Sequence, residues 1–70
     1  MAMGVLFFNA KSGNKKAEEE LIESITKGDV LVKRVGKSYL GALKGGAEKA
    51  NEFLKEKLSE EDYRKVASVN

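Results

Sequence analysis

Asp29-Val30-Leu31-Val32-Lys33-Arg34-Val35-Gly36-Lys37-Ser38-Tyr39-Leu40-Gly41-Ala42-Leu43-Lys44 is the stretch on which the fold turns. Its first part, Asp29 to Val35, is rich in β-branched residues and shows no helical stripe, so it reads as a strand. The residues beyond Val35 support two readings. In one, a long helix starts at Ser38, because Leu43, Ala47, Ala50, Leu54 and Leu58 recur at spacings of four and three. In the other, Gly36-Lys37 is a two-residue hairpin loop with Gly first, as a type II′ turn requires, and Ser38 to Lys44 pairs back as a strand. Gly41, Gly45 and Gly46 weigh against the helix, since each costs roughly 1 kcal/mol relative to Ala in a helix interior. The glycines favour the hairpin, with Gly45-Gly46 leading into a helix from Ala47 to about Leu58.

Working outward, Gly4-Val5-Leu6-Phe7-Phe8 is a short, unbroken apolar run whose length and aromatic content suit a central strand. Residues 9–14 are polar and read as a loop. Asn14 or Ser12 caps the next helix, whose apolar positions Ala17, Leu21, Ile22 and Ile25 follow the 3.6-residue period and which Gly28 stops in the C′ manner. Ser59-Glu60-Glu61-Asp62 matches a capping box and opens a new turn of helix. The tail ends either as a helical turn or as a short strand over Val66 to Val69. The order β-α-β-β-α, with that possible last strand, is the split βαβ arrangement of ferredoxin-like α+β folds, here as one domain over residues 1–70. In that topology the loop at 9–14 and the hairpin share one end of the sheet. Lys11, Lys15, Lys16, Arg34 and Lys37 then gather on one rim, and one sheet face stays open.

The chain resembles the RNA-recognition motif over most of its length. Val5-Leu6-Phe7-Phe8-Asn9-Ala10 sits where that family has its first-strand consensus, and Lys37-Ser38-Tyr39-Leu40-Gly41-Ala42 sits where the third-strand consensus begins. Glu18-Glu19-Glu20-Leu21, Gly28-Asp29-Val30 and Ala47-Glu48-Lys49-Ala50 echo the first helix, its exit and the start of the second helix. The resemblance implies single-stranded RNA binding, with bases stacked on exposed rings. Leu6 and Gly41 stand at two of the family's aromatic positions. Tyr39 matches in place, and Phe8 points to the same face as the expected ring.

Composition narrows the function. Seventy residues leave room for one small core. No apolar run approaches the ~20 residues of a membrane span, and the N-terminus lacks the basic region of a signal peptide. The chain has no Cys and no His, so disulfides, thiolate nucleophiles and the commonest general base are all absent. That composition fits a reducing cytoplasm. Thirteen basic and eleven acidic side chains leave a net charge of +2, too slight to mark a nucleic-acid binder on composition. Gly36-Lys37-Ser38 has only the tail of a phosphate loop, Leu31 standing where the first Gly belongs. Glu18, Glu19, Glu20 and Glu23 read as a solvated helix face. The expectation is a chain without catalytic, cofactor or metal residues, acting as an interaction or assembly module. It self-associates, as a dimer or larger, or binds a protein partner through the open sheet face around Phe8 and Tyr39. The alternative is a single-stranded RNA or DNA binder using those rings and the basic rim.

Overall fold

The computed structural model describes residues 3–69, and no strand occurs among them. Five helices follow one another: α1 (Met3–Lys11), α2 (Lys15–Lys27), α3 (Val30–Lys44), α4 (Ala47–Lys57) and α5 (Glu60–Ala67). The expected α+β, ferredoxin-like sheet is therefore replaced by a small helical bundle, and with it goes the fold implied by the RNA-recognition resemblance.

The correction centres on α3, which runs straight through the expected hairpin. Asp29 caps it, its carboxylate accepting from the Val32 N–H at 2.9 Å. Gly45 ends it in the left-handed region at φ +93°, and the N–H groups of Gly45 and Gly46 both donate to the Gly41 carbonyl. Two of the three glycines counted against a helix thus lie beyond its end, where glycine suits the helix stop. The third, Gly41, lies inside α3 near its end, and Gly36, expected to open the hairpin, also lies inside α3, where it is needed for space. A Cβ at this position would sit 2.4 Å from Ile25 Cγ1 and 2.7 Å from Met3 Cε. The absent side chain lets α3 approach α2 and α1 closely, and that packing offsets the propensity cost. The inward residues Lys33, Gly36, Leu40 and Leu43 are spaced three, four and three, a helical stripe that a Lys and a Gly conceal from hydropathy.

α1 was concealed for the opposite reason. Met3, Leu6, Phe7 and Ala10 form an i, i+3, i+4, i+7 face, with Leu6 and Ala10 buried. Val5 and Phe8 fill the outward positions with more apolar residues, so the run looks continuous rather than periodic. The helix extends to Lys11, into the segment expected to be a loop.

The other helices lie close to where the spacing places them. Asn14 caps α2, its Oδ1 accepting from the Ala17 N–H at 3.1 Å. Gly28 ends α2 with extended backbone, φ −74°, rather than the left-handed C′ geometry. Its lack of a Cβ matters sterically, because one would meet Val32 Cγ1 at 2.3 Å. Ser59 Oγ accepts from the Asp62 N–H at 3.2 Å and starts α5, so the tail is helix through Ala67 and the strand at Val66 to Val69 does not form. Leu21 and Ile25 of α2, Leu40 of α3, Leu54 of α4 and Val66 of α5 are fully buried and make the core. α2 packs on α1, α3 and α5, while α4 closes against α3 and α5.

Candidate functional site

α3 carries four cations and no carboxylate, yet its lysines are engaged with the body of the protein. Lys33 is nine-tenths buried, and its Nζ donates to the carbonyls of Thr26 (2.9 Å) and Gly28 (2.6 Å). These belong to the end of α2, where helical carbonyls lack intrahelical partners. Lys37 does the same for α5, its Nζ donating to the carbonyls of Val66 (3.2 Å) and Val69 (2.7 Å). Lys44 bonds Glu18 Oε1 at 2.9 Å, both side chains about three-quarters buried, and sits 3.9 Å over the centre of the Phe53 ring. Three lysines of one helix thereby fasten α2, α5 and the α2–α4 side.

The opposite side of α3 carries an uncharged stripe, flanked by the exposed Arg34. Leu31, Val35, Ser38 and Ala42 are spaced four, three and four, so at 100° per residue they fall within a stripe about 60° wide. All four are exposed, Leu31 by 64% and Val35 by 38%. Ser38 Oγ donates to the Arg34 carbonyl at 3.3 Å, so its hydroxyl has a partner within the helix.

α1 extends this face. Its first eight residues, Met3 to Ala10, include no charged side chain, and Phe8 (67%) and Val5 (49%) are exposed. The Phe7 and Tyr39 rings lie with centroids 4.9 Å apart, and the Tyr39 hydroxyl lies 3.5 Å from where a Gly4 Cβ would stand. Phe8 is one turn from Gly4 and Val35 one turn from Tyr39, so the two exposed ridges are joined through the Gly4–Tyr39 contact. An apolar surface of this composition, in a chain with 34% charged residues, is the feature most suggestive of function.

The residues singled out from the sequence lie in several places. Phe8 points outward on α1, whereas Tyr39 is half-buried on α3 with its ring against Phe7. There is no sheet face to display the two as a stacking platform. Lys11 ends α1, and Lys16 lines a shallow pocket of about 230 Å³ between α1 and α2. Lys15 borders a cleft of about 490 Å³ with Lys44, Phe53 and Lys57. Arg34 and Lys37 border a separate groove of about 480 Å³, floored by Gly41, Ala47 and Ala50. The single rim expected from the hairpin has no counterpart in the bundle.

The outward residues Leu31, Val35, Ser38 and Ala42 were missed because strand assignments cut their spacing at Gly36. Their four-three-four interval is the signal that reveals them. No helix among the described residues is long and apolar enough to cross a membrane. No known protein family, curated protein or solved structure matches this chain.

Proposed function

We propose that this chain is a non-catalytic assembly module that self-associates through the uncharged face of α1 and α3. The observation that carries this reading is the exposure of four uncharged apolar side chains, Val5 and Phe8 on α1 and Leu31 and Val35 on α3, which packs against α1. These side chains present on the order of 400 Å² of apolar area, comparable to the largest patch on a typical monomer. Two such faces and their rims reach the low end of specific interfaces, about 1,200 Å² in total. The expected association is weak and depends on concentration. It also tolerates salt, because no ion pair is required at its centre.

Sedimentation velocity over a concentration series up to about 1 mM tests this. The reading expects a rise from one to two chain masses, little changed by 0.5 M salt, and abolished by Phe8→Glu, which places a charge in the apolar face. A chain that stays monomeric throughout refutes it.

A further inference from the structure

The charge-free stripe on α3 has a property beyond being apolar: its residues complement themselves when the helix is reversed. Resting on the self-association reading, we propose that the partner seated on this face is a second copy of the chain, with the two α3 helices packed antiparallel about a two-fold axis level with Gly36 and Lys37.

Spacing and shape support this arrangement. Positions 31, 35, 38 and 42 repeat at four, three and four, the interval that keeps a seam facing a neighbouring helix. Reversal about the midpoint of 36 and 37 sets Leu31 opposite Ala42 of the partner subunit and Val35 opposite Ser38 of the partner subunit. Each large side chain meets a small one, as interdigitating helix surfaces require. A parallel pair would instead oppose Leu31 to itself and Ala42 to itself, crowding one end and leaving a gap at the other. It would also align the two helix dipoles, whereas the antiparallel pair opposes them.

Charge and polarity agree. A two-fold interface brings each patch against its own copy, so any net charge at its centre would face like charge. The stripe has none, Lys33, Lys37 and Lys44 are held by groups of their own chain, and the exposed Arg34 flanks the stripe rather than lying in it. The one polar group in the stripe, the Ser38 hydroxyl, already donates to the Arg34 carbonyl and enters the interface with its donor satisfied. The two-fold axis runs across both helices, so it leaves each α1 on the same side of the pair. The exposed Phe8 and Val5 of both copies then border one continuous apolar floor.

Disulfide trapping tests the register, and the chain has no Cys of its own to interfere. Leu31→Cys and Ala42→Cys chains are mixed in equal amounts near 1 mM, equilibrated and oxidised briefly, with helicity checked by circular dichroism. Antiparallel pairing brings these two positions within the short Cα separation that a disulfide needs and keeps like positions far apart. The expected result is at least five mixed 31–42 dimers for each like-paired one, against the one-to-one ratio of random pairing. Leu31→Glu is expected to weaken association at least tenfold by sedimentation. A wild-type chain that dimerises while the cysteine variants give 31–31 and 42–42 products, or no enrichment, overturns the register and leaves self-association intact. A wild-type chain that does not dimerise overturns both.

Discussion

Gly36→Ala isolates the reason α3 is a helix despite its glycines. In an unencumbered helix the change stabilises by about 1 kcal/mol, because Ala loses less backbone freedom on folding. Here the new methyl would lie 2.4 Å from Ile25 Cγ1 and 2.7 Å from Met3 Cε, well inside van der Waals contact. Ile25 is fully buried, so it has little room to yield, although the Met3 thioether end is flexible. Overpacking of this kind costs about 1–3 kcal/mol. The net effect is a loss of about 1 kcal/mol, a fall in Tm of about 4–8 °C for a domain this small. Gly41→Ala is the matched control in the same helix. Its nearest neighbours are 3.8 Å away, ordinary contact, so the propensity gain survives and stability rises by about 0.5–1 kcal/mol. Thermal unfolding followed at 222 nm reads both. A Gly36→Ala protein that gains stability as Gly41→Ala does would refute the close approach of α3 to α2.

Lys33→Met removes both ammonium bonds to the end of α2 while keeping the length of the side chain, and should cost about 1–3 kcal/mol in urea unfolding. An unchanged midpoint would mean that those carbonyls need no donor. Lys37→Ala is expected to loosen α5 selectively, with amides from Arg64 to Ser68 exchanging faster while α2 amides hold their protection. Uniform acceleration across the chain would contradict the local role. Arg64→Ala breaks an ion pair whose side chains are 78% and 88% exposed, so stability should move by less than ~0.5 kcal/mol.

How far the sequence revealed this fold depended on whether solvent-facing positions were polar. α2 could be read from Ala17, Leu21 and Ile25 because Lys and Glu occupy its outer face, and Asn14 marks its start. α4 and the Ser59 cap of α5 were legible for similar reasons. α1 and α3 were not, because both carry apolar residues outward as well as inward. On α3 the inward stripe also includes a buried Lys and a Gly, whose use as a carbonyl donor and a point of close approach exists only in the tertiary structure. The outward apolar residues that hid the helices are the same ones that form the candidate site. Phe8 alone among the site residues named from sequence lies on that face as a fully presented ring, and Tyr39 contributes by joining its two ridges.

The candidate site exists only if α3 is one uninterrupted helix with opposed inner and outer sides. Backbone carbon chemical shifts of labelled protein, assigned across residues 29–44, test this most directly. Cα shifts displaced in the helical sense from Val30 to Lys44, without a break at Gly36-Lys37, are the result expected here. Strand-like shifts on either side of Gly36, with amide contacts between Val35 and Ser38 across a turn, would contradict it.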